Sequence, residues 1–275
     1  MKTRKIKDAI LMTMIIISSF ITVGILTWIL IYVVANGIGK INWEFLSTAP
    51  KGFNEGGIFP MIITTIYIVL LSILISTPIG VCAAIYLVEY AKQGKIVRII
   101  RFATESLSGI PSIIFGLFGY LFFVNQIGWK YSILSGAMTL SIMVLPTIIR
   151  TTEESLKAVP NSYREGSLGL GASKLKTIIK VILPSAISGI ITSIILSIGR
   201  IVGETAAVYF TAGFAPRMAK SIMDSSRTLS VHMYVLTKEG DFDKGFATAT
   251  VLIIVVLIIN FMANFMSKKF NKTRM

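Results

Sequence analysis

Six blocks of apolar residues, each long enough to cross a lipid bilayer, constrain this sequence more than any other feature. The blocks run at 9–35, 61–88, 107–125, 132–149, 184–211 and 247–267. A hydrocarbon core of ~30 Å needs about 20 apolar residues in a helix, which satisfies its own backbone hydrogen bonds within lipid. With 54% hydrophobic residues and a mean hydropathy of +0.77, the chain is predicted to be an all-α polytopic membrane protein with six transmembrane helices.

The positive charges follow the predicted membrane topology. If the N-terminus lies in the cytoplasm, most of the 27 Lys and Arg residues fall in the N-terminal arm, the 89–106 loop, the 150–183 loop and the C-terminal tail. Short cytoplasmic loops carry such an excess in membrane proteins. We therefore expect both termini in the cytoplasm and the 212–246 segment outside it. This topology explains the net charge of +14 without a nucleic-acid partner. The spans are expected to contact membrane lipid.

The sequence contains no pattern typical of an enzyme. A single cysteine, Cys82, and a single histidine, His232, provide neither a disulfide framework nor a metal-binding cluster. Phosphate-binding loops, H-E-x-x-H and G-x-S-x-G motifs are absent, and no pair of carboxylates lies outside the loops. We expect no catalytic activity, no cofactor and no metal, with His232 in a structural or solvated position. Energy for any work must come from a partner or a gradient.

The 150–183 segment is predicted to be a cytoplasmic loop that folds as a helix, a tight turn and a second helix. Pro160 is typical of a helix start, and Gly171 breaks the amphipathic stretch that follows. A basic helix at 173–180 then leads to Pro184, which the first turn of the fifth span would tolerate. From periodicity alone, a charged connector lying on lipid headgroups fits as well.

The spacing within this loop resembles the EAA loop of ABC-importer permeases, E-A-A-x3-G-x9-I-x-L-P. Here it reads Glu165-Gly166-Ser167, three residues, Gly171, nine residues, then Val181-x-Leu183-Pro184. In that family the loop is a coupling helix that docks on a separate ATPase subunit. The resemblance therefore implies an ATPase-coupling set: Arg164, Glu165, Gly166, Ser167, Gly171, Leu183 and Pro184. Small residues would let such a helix seat closely in a groove, and Glu165 offers a charge to a partner's cation.

Other segments resemble the permeases of phosphate-specific transport (Pst), and the A-type subunit more than the C-type. They are "GGIFPMIITTIYIVLLSILISTPIGVCAAIYLVEYA" from Gly56, "GIPSIIFGLFG" from Gly109, "GRIVGETAA" from Gly199 and "SRTLSVHMYVLTKEG" from Ser226. This resemblance implies a type I ABC importer fold of the MetI-like kind, in one permease domain over 1–275. It also implies a bacterial cytoplasmic membrane and a first span lying apart from the core of five.

The same resemblance implies partners and a function. The chain would form half of a heterodimeric pore with a PstC-like permease, driven by PstB-like ATPase subunits and fed by a PstS-like extracytoplasmic binding protein. The expected substrate is inorganic phosphate. A permease for molybdate, sulfate or phosphonate remains an alternative, because an arginine does not distinguish tetrahedral anions. A secondary anion transporter or channel should show repeated halves or a coupling-ion site, and it has no use for an EAA loop. A scaffold without transport would not explain the polar stripe described next.

The fifth block carries a polar stripe within its apolar sequence. At about 100° per residue, Gly189, Ser193, Ser197, Arg200 and Glu204 share an arc of about 80° on one helix. Ionisable groups at the centre of a bilayer cost roughly 2.5–3.5 kcal/mol each even on the lenient insertion scale. The stripe is therefore predicted to face protein or water.

Two interpretations of the stripe stay open. In the first, Arg200 and Glu204 form an ion pair that fixes bundle packing, while Gly199 and Gly203 allow a neighbouring helix to approach. In the second, which we favour, Arg200 contacts the anion on the translocation path and Glu204 orients it and limits its affinity. A guanidinium binds phosphate oxygens in a bidentate manner, and the resembled family also carries this Arg and Glu.

Ser193 and Ser197 belong to the same predicted translocation set. In the third block, Ser108, Ser112, Gly116 and Gly119 form a second small-residue face. This face could expose amides to an anion or pack against a neighbouring helix.

Overall fold

The computed structural model describes residues 2–51, 55–92 and 94–272, and this part of the chain is almost entirely helical. Its only strands are β1 (Pro50–Lys51) and β2 (Glu55–Gly56), which pair antiparallel. Residues 1, 52–54, 93 and 273–275 lie outside the described residues, and the side chains of the N-terminal arm up to residue 6 and of the C-terminal tail from residue 266 are also not described.

Twelve α-helices lie in the described residues, joined in three places by π-helical turns. They are α1 Lys2–Gly37, α2 Trp43–Ser47, α3 Phe59–Ile85, α4 Lys95–Ser108, α5 Ser112–Gly119, α6 Ile133–Lys157, α7 Asn161–Gly169, α8 Lys174–Thr177, α9 Leu183–Val202, α10 Ala206–Thr211, α11 Leu229–Glu239 and α12 Phe242–Lys272. The π-helical turns are Tyr86–Tyr90, Tyr120–Gln126 and Ile178–Ile182. A short 3-10 helix, Ile38–Lys40, follows α1.

The described helices give five spans, or the predicted six when one bent pair of helices counts as a span. Five described stretches are long and apolar enough to cross a membrane: Ile10–Lys40, Phe59–Tyr90, Ile133–Lys157, Lys174–Val202 and Phe242–Met262. The sixth is a pair of helices, Lys95–Ser108 and Ser112–Gln126, separated by a sharp bend.

The predicted third span, 107–125, is wrong at its start, because the chain turns by 100° between α4 and α5. The turn lies at Gly109–Pro111. A proline cannot donate a backbone hydrogen bond, and it disfavours the helical conformation in the residue before it, so α5 begins only after Pro111. The residues before the bend form the amphipathic helix α4, which exposes Ile96 and Phe102.

The predicted fifth span, 184–211, agrees at its start with α9, which has Pro184 in its first turn, but it is wrong at its end, and the helix extends further back than predicted. One continuous helix runs from Lys174 to Val202, so the basic helix predicted at 173–180 is its first part and Pro184 lies inside it. The π-helical turn just before Pro184 explains this, since the Leu183 N–H donates to the Ile178 carbonyl, five residues back. This wider turn accommodates the proline. At the other end, three residues separate α9 from α10, so Thr211 is not on the same helix as Arg200.

The core lies where α3, α6, α9 and α10 meet. Its fully buried side chains include Ile68, Leu140, Met143, Ile148 and Val208. Two serines join α3 to α6 across this core: Ser72 Oγ donates to the Ala137 carbonyl (3.2 Å), and Ser141 Oγ donates to the Ser72 carbonyl (3.1 Å). Buried hydroxyls that bond a facing backbone are a common means of helix association in membranes.

The first span lies apart from this core, as the resemblance implied. Within the described residues α1 packs chiefly on α12, where Thr250 Oγ1 donates to the Val33 carbonyl at 3.3 Å and the Tyr32 ring meets the edge of Phe246 at 5.7 Å. Trp28 and most other α1 side chains are exposed. In a membrane this apolar surface faces lipid or another subunit.

Close packing explains the glycines of the third span. A Cβ on Gly116 would lie 2.8 Å from the Ala207 Cα in α10, and a Cβ on Gly119 would overlap the Thr139 hydroxyl in α6. These glycines therefore allow α5 to approach α6 and α10 at backbone distance. Of the two readings of this small-residue face, the structure confirms helix packing at Gly116 and Gly119.

Gly116→Ala is expected to lower the thermal midpoint of the purified protein. The added methyl meets the backbone of α10, which cannot rotate away, and overpacking of this kind costs about 1–3 kcal/mol. Gly24→Ala is the matched control, because a Cβ at this α1 position meets nothing within 4 Å. Unfolding in detergent would measure both variants. Equal midpoints for the two would contradict the packing assigned to Gly116.

Candidate translocation and coupling sites

Arg200 lies in the last turn of α9, next to a break in the fifth span. Its side chain is half-buried, and no hydrogen bond or ion pair joins it to any residue that the structure describes. α9 ends at Val202 and the chain becomes helical again at Ala206. A guanidinium without a partner at this depth has five donors available to water or to an anion.

Glu204 caps the start of α10 and does not pair with Arg200. Its Oε1 accepts a hydrogen bond from the Ala207 N–H at 3.2 Å, and its own carbonyl accepts one from Ser230 Oγ at 2.7 Å. The Glu204 carboxylate thus bonds the backbone of α10, and the Glu204 carbonyl bonds a side chain of α11. No Arg200–Glu204 ion pair occurs in the described part of the chain. The carboxylate thus satisfies an amide that the helix break would leave without a partner.

Ser193 and Ser197 lie on the buried side of α9. Both are fully buried, and their hydroxyls donate within the helix, Ser193 to the Ile190 carbonyl (2.7 Å) and Ser197 to the Ser193 carbonyl (2.8 Å). The polar arc predicted from the sequence is therefore divided. Its serines pack inside this chain, while Arg200 lies at its more open end.

The face beside Arg200 is open in the single chain. A Cβ on Gly199 would meet nothing within 4 Å, and one on Gly203 would come no closer than 3.8 Å to the Gly199 carbonyl. These two glycines therefore do not bring another helix of this chain close. An open face of small residues around one arginine is suited to a second subunit or to a water-filled path.

The coupling segment folds as the predicted helix, turn and helix. α7 ends at Gly169, and the turn closes with two bonds of a Schellman motif: the Gly171 N–H donates to the Leu168 carbonyl, and the Ala172 N–H donates to the Ser167 carbonyl. Gly171 has φ +82°, a left-handed conformation that glycine adopts without steric cost. Ser167 and Thr177 share a hydrogen bond of 2.9 Å that holds α7 to α8.

One side of α7 is available to a partner. Glu165 is exposed, a Cβ on Gly166 would meet nothing within 4 Å, and the apolar side chains of Tyr163, Leu168 and Leu170 lie in solvent. Leu170, at the tip of the turn, is 92% exposed. Exposed apolar residues around a charged one are typical of a docking surface.

Arg164 faces the opposite way and anchors α7 to the rest of the chain. Its Nε and Nη2 donate to Glu89 Oε1 at 3.0 and 2.8 Å, while Nη1 donates to the Val159 carbonyl and Nη2 to the Leu156 carbonyl. Glu89 lies in the π-helical turn that ends the second span, and its side chain is 8% exposed. One guanidinium thus connects the coupling helix to the ends of α3 and α6.

Leu183 and Pro184 are half-buried within the long fifth helix. Leu183 packs against an apolar cluster of α3, α6 and α9 that includes Ala84, Leu156 and Ile182. Leu183 therefore connects the start of α9 to this cluster through packing.

A second charged contact joins α4 to the same region. Glu153 in α6 accepts ion pairs from Arg101 at 2.7 Å and from Lys157 at 2.6 Å. The helix before the bend in the third span is thereby tied to the last turns of α6, close to the coupling segment.

The sequence profile of the family described as "Binding-protein-dependent transport system inner membrane component" matches residues 76–274. The chain belongs to this family of ABC-importer permeases. The permease is 35% identical over 281 residues to the "Probable ABC transporter permease protein YqgI" of Bacillus subtilis, with 96% of each chain covered. It is 33% identical over 265 residues to the "Phosphate transport system permease protein PstA" of Pasteurella multocida, with 94% of each covered.

Solved structures share the fold. The inward-facing MetNI methionine transporter matches with a TM-score of 0.62 at 20% identity, over 78% of the permease and 94% of that chain. A bacterial alginate transporter matches with a TM-score of 0.70 at 15% identity, over 97% of the permease and 96% of that chain. The permease is therefore a multi-pass inner-membrane subunit of an ABC importer. It is not itself an enzyme, and it works with a separate ATPase and a substrate-binding protein.

Sequence reasoning missed Glu89, and it did not predict that Arg164 bonds other parts of this chain. The one signal available was the position of Glu89, a carboxylate directly after the apolar block 61–88. Its partner is 75 residues away in the sequence, so only the packing of α7 under α3 reveals the pair.

Arg164→Gln is expected to lower the free energy of unfolding by about 3 kcal/mol, because it leaves the Glu89 carboxylate buried without a partner. Combining it with Glu89→Gln should cost less than the sum of the two single substitutions. Arg98→Gln, at an exposed arginine of α4, is the matched control. Denaturation of the purified protein in detergent measures these differences, and strict additivity would show that the pair does not act as a unit.

Proposed function

We propose that this permease imports inorganic phosphate as one half of a heterodimeric pore. The relatives named as phosphate permeases, at 32–33% identity over 94% of the chain, support this substrate. The observation that carries the mechanism is Arg200, a guanidinium within a span, with no partner in the described residues, beside an open face of glycines.

In the proposed pore, the open face around Gly199 and Gly203 meets a PstC-like subunit across the path. A PstS-like protein delivers phosphate from outside, and Arg200 binds the phosphate transiently as it crosses the pore. PstB-like subunits bind the exposed side of α7 through Glu165, Gly166, Leu168 and Leu170. ATP-driven movement of α7 is transmitted through the Arg164–Glu89 pair to the second span and through the continuous fifth helix toward Arg200.

In this proposal both termini and the coupling segment lie in the cytoplasm, and the 212–246 segment lies outside. The single arginine also explains how an anion could be held and released. One bidentate contact in a partly open site binds phosphate weakly enough for it to leave. The burial of Ser193 and Ser197 leaves them a supporting role, since they shape the helix that carries Arg200.

Arg200→Gln is expected to reduce phosphate uptake at least 10-fold, since it removes the charge and the guanidinium fork while keeping a polar side chain. The measurement is uptake of labelled phosphate at low external concentration by cells lacking the gene, complemented with each variant at equal membrane expression. Arg217→Gln, at an exposed arginine of the 212–246 segment, is the control and should transport normally. Full uptake by Arg200→Gln would remove Arg200 from the mechanism.

The same cells test the substrate. An excess of unlabelled phosphate should abolish uptake of the label, while sulfate, molybdate and phosphonate should leave it unchanged. If the wild-type gene restores no phosphate uptake where an authentic phosphate permease does, the permease transports another oxyanion.

Glu204→Gln separates capping from charge. The Gln side chain keeps a carbonyl oxygen for the Ala207 N–H, so a purely capping role predicts normal uptake. Glu204→Ala removes the cap and should lower stability by about 1 kcal/mol. If the Glu204 carboxylate also weakens the hold of Arg200 on phosphate, Glu204→Gln should lower both the KM and the maximal rate of uptake, which kinetic measurements distinguish from the capping result.

A further inference from the structure

A second charged site lies at the far end of the molecule from the coupling helix. The second span begins at this site and ends at Glu89, beside α7. Here a cavity of about 260 Å³ lies between α2 with the strand pair, the segment before α11, α11 itself and the first turn of α12. We call it the Arg227 cavity; its polar side chains are Arg227, His232, Glu239 and Lys244. It belongs to the segment predicted to be extracytoplasmic.

Arg227 is buried there, with no partner for its side chain in the part of the chain that the structure describes. Only 8% of the residue is exposed, its Nε is fully enclosed, and its side chain makes no hydrogen bond or ion pair to the described residues. Its backbone N–H is fixed by the Ala215 carbonyl at 3.2 Å. Burial lowers the pKa of the guanidinium, and the charge of Glu239 opposes that shift only in part. A buried cation is costly unless something anionic or aqueous satisfies it.

His232 supplies a second group that lacks a partner. It is 4% exposed, and its Nδ1 is buried with no hydrogen bond among the described residues. Burial, followed by the charges of Arg227 and Lys244, lowers the pKa of His232 to about 3. The imidazole is therefore neutral at physiological pH, and in one tautomer its Nδ1 carries a proton to donate.

The described carboxylates nearest these donors, Asp241 and Glu239, do not satisfy them. Asp241 is occupied by Lys244, with Oδ2 at 3.7 Å from Nζ, and its Oδ1 accepts from the Lys244 N–H. Glu239 lies too far from Arg227 for an ion pair, since no N–O distance between them falls within 4.0 Å. The cavity thus combines a guanidinium fork and an imidazole nitrogen with walls that include Phe45 and Leu236.

We propose that the Arg227 cavity binds a small oxyanion such as inorganic phosphate or sulfate. The fork of Arg227 matches two oxygens of a tetrahedral anion, and Nδ1 of His232 can donate to a third. The apolar walls strengthen such charge-assisted bonds by excluding water. A cavity of 260 Å³ holds such an anion together with several water molecules, at about 30 Å³ each.

The site is linked to the helix break of the fifth span through α11. Ser230 lies between Arg227 and His232 in the sequence, in the first turn of α11. Its Oγ donates to the Glu204 carbonyl at 2.7 Å. Thr228, which caps α11, bonds the same hydroxyl at 3.0 Å. An anion held by Arg227 and His232 would therefore fix the end of α11 that supports Glu204. The site is independent of which anion the pore transports.

The test uses the complex of the permease with its partner permease and ATPase subunits, purified in detergent without binding protein. Its thermal unfolding is measured with no added phosphate and with 10 mM phosphate at constant ionic strength. We expect phosphate to raise the midpoint by about 2–4 °C. Arg227→Met should abolish this rise, while its midpoint without phosphate should equal or exceed that of the wild type, because the unpaired buried charge is gone.

Two matched variants locate the effect. Arg217→Met changes an exposed arginine of the same segment, and Arg200→Met changes the proposed pore residue; both should keep the rise. If Arg227→Met does not assemble, His232→Asn replaces it and should weaken phosphate binding about 10-fold in a titration. The proposal is overturned if phosphate gives no rise, if Arg227→Met keeps it, or if Arg200→Met abolishes it. None of these results depends on phosphate uptake, so the test is separate from that of the proposed function.

Discussion

The lack of water within a bilayer requires every backbone polar group of a span to find a partner in the protein, and the departures from regular helix in this permease follow from that requirement. At Gly203–Thr205 the freed groups are met by the Glu204 carboxylate and by Ser230. Pro184 has no backbone N–H to donate, and just before it a wider turn lets the Leu183 N–H donate to the Ile178 carbonyl. Each break is thus possible because a particular group satisfies the backbone there.

The same constraint shapes the coupling end. α7 is too short to be stable alone, so its position depends on Arg164, which bonds Glu89 and two carbonyls of the α6 terminus. Four hydrogen bonds from this one side chain leave α7 and make the helix a rigid extension of two spans. In the proposed coupling, a force applied by an ATPase to the exposed side, at Leu168 or Leu170, would therefore reach the membrane without being lost in a flexible loop. The small residues of the loop would give the partner access, and Arg164, which precedes them, would transmit the movement.

Patterns local in the sequence predicted much of this structure. Apolar block length gave six spans, and the spacing from Glu165 to Pro184 gave the coupling helix, because both are properties of neighbouring residues. The sequence did not reveal pairs distant along the chain, such as Arg164 with Glu89, since many charges could be partners for each. It also placed Glu204 on one helix with Arg200. A helical wheel assumes an unbroken helix, and the break depends on a capping bond and on Ser230, 26 residues further on.

Arg200 and Arg227, two arginines without partners among the described residues, lie close in sequence to the two ends of the Glu204–Ser230 hydrogen bond. Their environments differ in a way that bears on what each can do. Arg200 is half-buried on an open face, where water can solvate it and an anion can leave quickly. Arg227 is enclosed. Water would compete less there for the hydrogen bonds that hold an anion, so the anion would leave more slowly. A transient contact suits a translocation path, and a longer-lived one suits a site that reports the anion outside. Because one hydrogen bond joins the supports of both, occupancy of the enclosed site would favour one geometry of the break beside the open one.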